Sequence, residues 1–491
     1  MRYKVIGVAM MALMLFCSFA ATAADRDNRE NRIHQHLTGR QPDAGCTCDG
    51  SELCTHLPLV VIDTGGEDIP GVPLDESYDG ETAFTTTADG SAMLPVQISI
   101  MDSPAHNHHP SDTPDLESDG MIRVRGNSSR YFDKLGYLLR FTHADGSNAA
   151  HEVMGMAAHY EWALHGPYLD KSLIRNYMWY NIAGEIMDYA PNVRFCEVII
   201  NGVYRGLYVM TETITNGEDC RVNVSEPIDQ TNKTGYVLRM DRGSSNPLKN
   251  IDNFTYYTYR IGGLHSLRLN IEYPRAGRLT PELADAIEQE LSDFEKALYS
   301  YDYDSNRYGY ENWIDVGSFV DYFIINEFTT NYDAGALSTY LYKDIGGKYR
   351  MCIWDFNSAC DNYGEPTTLP HHFQMQQTAW FFMLTKDEDF VDRIIERYHE
   401  LRKTWLSDDY LCEYIDQTVA FLGDAVDRNF QVWGYTFDQD MLSPSERNPR
   451  SHEQAVEQMR AFCLERGRWM DEHIDILRQY SHPSKNKKFN H

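Results

Sequence analysis

The chain has 491 residues, of which 42% are hydrophobic and 24% charged, with unexceptional Gly (33) and Pro (19) contents. These values exclude wholesale disorder, collagen and coiled coil, and the length allows a large core. Lys and Arg total 44 against 73 Asp and Glu, a formal net charge of −29, which opposes unspecific binding to nucleic acid or anionic membrane, so a polyanionic ligand needs a local basic patch.

At the N-terminus, Arg2 and Lys4 precede the uncharged run Val5 to Ala21, and Ala21-Thr22-Ala23 supplies a small-x-small cleavage pattern. Residues 1–23 are therefore expected to be a secretory signal, and no later segment is apolar enough to span a bilayer. Phe16 before Cys17 argues against lipidation. Residues 24–56 read as a polar, cysteine-containing linker. Within it Cys46, Cys48 and Cys54 suit either a local disulfide with one cysteine left over or part of a metal site. Cys196 and Cys352 lie in apolar runs and read as inert buried thiols.

Residues 57–115 form an expected β-strand region, with runs at Leu57 to Ile62 and Leu94 to Ile100. The following His106-Asn107-His108-His109-Pro110 reads as a flexible surface loop, because no carboxylate or cysteine stands at ligand spacing. From Met121 to Arg140, five basic residues (Arg123, Arg125, Arg130, Lys134 and Arg140) face the single Asp133. Ile122 and Val124 alternate with arginines as a strand, 126–129 turn, and Tyr137 to Phe141 return. Backbone N–H groups, the Ser128 and Ser129 hydroxyls and the flanking cations would suit phosphate oxygens; the same residues also suit a hairpin with a solvated basic edge.

Asp170 is placed to cap a helix whose apolar face carries Leu173, Ile174, Tyr177, Met178 and Ile182. Asn201-Gly202 between two apolar runs signals a two-residue hairpin. Glu212 ends its second strand and reads equally as a site carboxylate or a surface acid. Tyr301 to Asn306 resembles the start of a calcium loop, but Arg307 stands where Gly is needed, which leaves an exposed acidic loop.

Asp315 caps an expected helix carrying Val316, Phe319, Val320, Phe323, Ile324 and Phe328, which ends before Asn331-Tyr332-Asp333. Strands at 338–343 and 348–354 follow, joined by Asp344 to Gly347. A turn centred between Ile345 and Gly346 sets Asp355 opposite Ala336, close to Asp333. Two carboxylates at one end of a hairpin suit an acid–base role for one and Mg²⁺ coordination for the other; they also suit turn capping. From about Gln376 to Arg478 the periodicity is helical, so the fold class is α+β with a helical C-terminal lobe.

The stretches IRVRGNSSRYFDK, HGPYLDKSLIRNYMWYNIA, EVIINGVYRGLYVMTETI and FVDYFIINEFTTNYDAGALSTYLYKDIGGKYRMCIWDFN resemble the CotH kinase family, named for a spore-coat protein. The resemblance implies an atypical protein-kinase-like two-lobed fold, with a kinase-like domain over 116–480 and a polar tail at 481–491. It implies an exported enzyme using ATP and Mg²⁺ (or Mn²⁺) to phosphorylate Ser or Thr of an unidentified extracytoplasmic protein, in the periplasm, at the cell surface or secreted. Asp333 would be the catalytic acid. Asp355, with Asn357, would hold metal; Arg125, Ser128, Ser129 and Lys134 would hold nucleotide phosphates, and Glu212 would lie near the adenine or metal side. Many members carry Asn where this chain has Ser338 or Thr339, and a second Asp where it has Asn357. A neutral amide in place of a carboxylate weakens Mg²⁺ binding, so a catalytically weak surface adhesin or assembly protein is the alternative. No G-x-S-x-G or H-E-x-x-H motif supports a hydrolase.

Overall fold

Alternating apolar residues at period two build most of the N-terminal half. A computed structural model describes residues 46–75, 83–217, 222–242, 248 and 267–485. The expected leader at 1–23, most of the linker and the last six residues of the tail lie outside the described residues. The strands are β1 (Leu59–Asp63), β2 (Leu94–Met101), β3 (Leu116–Arg125), β4 (Gly136–Thr142), β5 (His151–Val153), β6 (Met156–His159), β7 (Glu161–His165), β8 (Val193–Ile200), β9 (Val203–Glu212), β10 (Tyr236–Arg242), β11 (Leu267–Tyr273), β12 (Thr339–Lys343) and β13 (Arg350–Cys352). The helices are α1 (Arg175–Ile186), α2 (Pro281–Leu298), α3 (Val316–Phe328), α4 (Phe381–Leu384), α5 (Glu388–Leu401), α6 (Asp408–Leu422), α7 (Ala425–Trp433) and α8 (His452–His473).

Seven strands close a barrel in the order β1-β2-β3-β4-β7-β9-β8. Every pairing is antiparallel except the seam, where β1 runs parallel to β8 with Leu59 level with Glu197. Closure leaves no open edge. Inward residues such as Ile98, Ile122, Leu139, Phe141, Trp162 and Val198 fill the interior and are inaccessible to solvent; each is worth about 1.5–3 kcal/mol relative to exposure. The β8–β9 hairpin turns at Asn201 and Gly202, whose φ values of 51° and 74° match a type I′ turn.

A second antiparallel sheet, β11-β10-β12-β13, packs with the helices around a larger core. Asp315 caps α3 by accepting the Ser318 N–H at 3.0 Å. The C-terminal segment from Phe381 to the end of a 3₁₀ turn at Tyr480 is mostly helical. The molecule is thus a mixed α+β protein with a seven-stranded barrel and, among the described residues, eight α-helices, none long and apolar enough to cross a membrane.

Three local expectations change. Helix α1 begins at Arg175, and Asp170 reaches it from a distance, accepting the Arg175 N–H at 2.9 Å and pairing with its guanidinium. All twelve residues of α1 are buried, so it has no solvent face. In the β12–β13 hairpin Tyr340 stands opposite Cys352; continuing that register sets Asp355 level with Leu337, one residue from the expected Ala336, because the turn centres on Gly346, whose φ is +69°.

Candidate functional site

A cavity of about 950 Å³ opens where the β3–β4 connection of the barrel meets the ends of β10, β12 and β13. Arg123, Arg125, Ser128 and Ser129 reach it from the barrel, and Asp333, Asp355 and Asn357 from the helical part. The two sets are more than 200 positions apart in the chain.

The basic side is a short 3₁₀ turn, Ser128–Tyr131. It is entered through Gly126 at φ +111°, where a Cβ would stand 1.9 Å from the Ser129 Oγ, so only glycine fits. The Arg125 guanidinium lies over the Trp354 ring at 5.4 Å and makes no ion pair among the described residues. Burial and the charge of Arg125 pull the Arg123 group below its ordinary range, and burial with Arg123 and Arg125 brings Arg130 down to about 10. Arg130 itself is tied to backbone, donating to the Gly126 and Gly71 carbonyls. This cluster of like charges favours an anion.

The acidic side is held from behind by two anchors. Helix α1 supplies the first. Tyr180 Oη accepts the Asp355 N–H at 2.9 Å, Asn176 Oδ1 accepts the Phe356 N–H at 2.7 Å, and Arg175 donates to the Ala359 and Cys360 carbonyls at 3.0 and 3.2 Å. They maintain Asp355 at φ +63°, a sparsely populated conformation for a residue with a Cβ. The second anchor is the fully buried ion pair of Glu327, at the end of α3, with Arg466 of α8. Arg466 also donates to the Pro370 and His372 carbonyls, and Glu327 accepts the Gln374 and Met375 N–H groups. Gln374 in turn donates to the Asn331 carbonyl at 2.9 Å, two residues before Asp333. Past Asp333, its own carbonyl accepts the Leu337 N–H at 2.7 Å, closing a turn through Gly335.

Burial pushes the Asp355 carboxyl up to about 6; Arg125 opposes the rise, and the nearby Asp241 adds to it. The Asn357 N–H and the Ser338 hydroxyl bond to the same carboxyl. Ser338 thus touches Asp355. Asp241, on β10, is buried and also pairs with Arg239 at 3.5 Å. Asp355 and Asp241, with Asn357 lining the same cavity, offer hard oxygen donors that fit a divalent cation.

Two predicted phosphate- or nucleotide-site residues do not reach the cavity. Lys134 is buried, with its Nζ donating to Asn429 Oδ1 of α7 at 2.7 Å beside the Tyr208 and Trp433 rings. Burial and Lys171 hold its ammonium well below the ordinary range. Glu212 is equally enclosed, accepting the Asn192 N–H at 2.9 Å and its side-chain amide at 3.2 Å. Lys134 ties the barrel to α7, and Glu212 ties the end of β9 to the residue before β8. Arg140, the last cation of the basic run, pairs with Glu161 at 2.9 Å.

The cavity also contains residues that sequence reasoning missed: Asp241, Arg239, Asn176, Tyr180 and His165. Burial and Arg125 pull His165 down to about 4, leaving a neutral imidazole at pH 7. The strand-like alternation of Tyr236 to Arg242 was a signal for Arg239 and Asp241, but not for their destination.

The model of one protein family, described as CotH kinase protein, matches residues 122–470, most of the chain and all of the site residues above. The chain belongs to the CotH kinase protein family. No curated protein matches it. As a CotH kinase family member it is kinase-like, and its matched region begins inside β3, leaving β1 and β2 outside although they complete the same barrel.

Proposed function

We propose that this CotH family member transfers the γ-phosphoryl group of ATP to Ser or Thr hydroxyls of a protein outside the cytoplasm. The observation that carries the reading is the single cavity joining a basic 3₁₀ turn to Asp333 and to an Asp355 whose ionisation is held back by burial and Asp241. The barrel with its turn and the helical part with its acids then correspond to the two lobes of a kinase.

In this reading Arg123, Arg125 and the Ser128-Ser129 turn bind phosphate oxygens. Asp355, Asn357 and Asp241 would hold Mg²⁺ or Mn²⁺, which when bound neutralises charge on the phosphates. Asp333 orients the acceptor hydroxyl and takes its proton. His165 stays neutral and so adds a hydrogen-bonding group rather than a charge. The setting outside the cytoplasm, periplasmic, surface-held or secreted, rests on the leader-like residues 1–23.

The test uses the purified chain with ATP labelled at the γ position, Mg²⁺ or Mn²⁺, and a mixed protein acceptor. Asp333→Ala should keep nucleotide affinity near the parent's and lower transfer by a factor on the order of 10² or more. Equal transfer by parent and variant removes the assignment. A parent that binds ATP and transfers to no acceptor supports the adhesin or assembly reading, with Asn357 and Ser338 as the cause.

A further inference from the structure

The cysteine cluster near the N-terminus and the histidine-rich loop after β2 meet in space. Cys46, Cys48, Cys54 and His109 offer four ligand atoms that all lie within 4.8 Å of one another. From this geometry we infer that they form a structural zinc site of the three-cysteine, one-histidine type. None of the four lines the cavity, and all lie outside the family-matched residues, so the inference is independent of the kinase reading.

Three features support it. Cys46 Sγ stands 3.6 Å from His109 Nε2; tetrahedral zinc, with Zn–S of about 2.3 Å and Zn–N of about 2.0–2.1 Å, sets these two donors about 3.6 Å apart. His109 Nδ1 lies 3.3 Å from Asp112 Oδ2, and the same oxygen accepts the His109 backbone N–H at 2.8 Å. A carboxylate behind the ring fixes the proton on Nδ1 and turns the Nε2 lone pair toward the cysteines, as the outer partner of a zinc histidine does. Asn107 Nδ2 donates to Cys54 Sγ at 3.1 Å, a hydrogen bond that favours the thiolate.

The backbone brings the two segments together. Thr55 and His108 exchange N–H to carbonyl bonds of 2.7 and 3.1 Å, and His108 Nδ1 lies 2.8 Å from the Leu57 carbonyl. The histidine loop is therefore a docked element and not the free surface loop that its sequence suggested. Thiolate and imidazole donors select zinc over Mg²⁺ or Ca²⁺, and four protein ligands leave no open position for chemistry. The site's work is mechanical: it pins the chain before β1 to the connection between β2 and β3. Binding releases one proton from each of three thiols, so affinity falls with acid. A disulfide would use two of the sulfurs and leave the third sulfur and the oriented imidazole without a role.

The full chain, purified without chelator and with thiols kept reduced, should retain about one zinc after dialysis against metal-free buffer. Replacing zinc by Co²⁺ should give the visible absorption of a tetrahedral thiolate complex. Cys48→Ser, at an exposed position, and His109→Gln should each lose the zinc and the cobalt spectrum, while Cys412→Ser keeps both. Asp112→Asn should retain the site but weaken zinc affinity on the order of tenfold. Circular dichroism of each variant identifies any that fails to fold, and Asp112→Asn, which removes no ligand, supplies the reading in that case. A parent that takes up no zinc or cobalt overturns the inference. So does a metal content unchanged in Cys48→Ser and His109→Gln, or peptide mapping of protein purified without reductant that finds a disulfide among Cys46, Cys48 and Cys54.

Discussion

Asp355→Asn should make the ligand-free protein more stable. The carboxyl titrates near 6 in the fold instead of at its ordinary 3.8, because burial and Asp241 raise it. The native state therefore holds this proton more tightly than the unfolded chain. Below 3.8 both states are protonated and the group is neutral in its effect; as pH rises from 3.8 to 6 stability is lost, and above 6 the loss is complete. The displacement corresponds to about 3 kcal/mol, and since Asp355 is only half-buried and lines an open cavity, about 1–3 kcal/mol is the amount to expect. Asparagine keeps an oxygen for the Asn357 N–H and the Ser338 hydroxyl while removing the charge. In buffer free of Mg²⁺ and nucleotide at pH 7.5, the melting temperature should rise by roughly one to three degrees for a chain of this size, and the gain should fall to roughly half at pH 5. A variant no more stable than the parent at pH 7.5, or one whose gain does not shrink at pH 5, would refute the argument.

Asp241→Asn should lower the Asp355 titration point, so that the pH-dependent loss of stability moves toward acid; an unmoved profile would mean that Asp241 does not act on Asp355. Arg125→Ala should weaken ATP binding on the order of tenfold, whereas Lys134→Met should leave it near the parent value, since the Leu207 N–H still satisfies Asn429 Oδ1 at 3.1 Å; calorimetry that ranks them the other way restores Lys134 to the phosphate site. Arg466→Met should cost about 3–5 kcal/mol in urea unfolding by leaving the Glu327 charge buried alone, and adding Glu327→Gln should return part of it. Gly335→Ala sets a Cβ 2.3 Å from Thr378 Oγ1 at φ +78°; it should cost transfer at least about tenfold by moving the Asp333 turn, and unaltered kinetics would show that the turn tolerates the shift.

Local signals in the sequence were legible where the chain folds against its near neighbours. Asn201-Gly202, the Asp315 cap and the helical stripe before Asn331 each specify one element, and the β12–β13 hairpin brings Asp333 and Asp355 toward one end even with its register one residue off. What was missed depends on distant partners. Asp241 reaches the cavity because β10 pairs with β12, with Met240 level with Thr339, and no short-range pattern announces a pairing across a hundred positions. Lys134 stands beside the basic turn in sequence, yet it precedes β4 and is drawn inward by Asn429 of α7. His109 lacked ligand spacing for the same reason: its sulfur partners lie before β1.

The parallel seam between β1 and β8 also sets an order of events. Leu59 cannot find its partner until Glu197 has been made or delivered, so the barrel can close only when more than a third of the chain is available. Until then the outer edge of β1 is an unpaired strand edge, open to pairing with another chain. A fragment cut to the family-matched region fares worse, because without β1 and β2 the edges of β3 and β8 are bare for good. Recombinant work on this protein should therefore begin upstream of Leu59, where β1 starts.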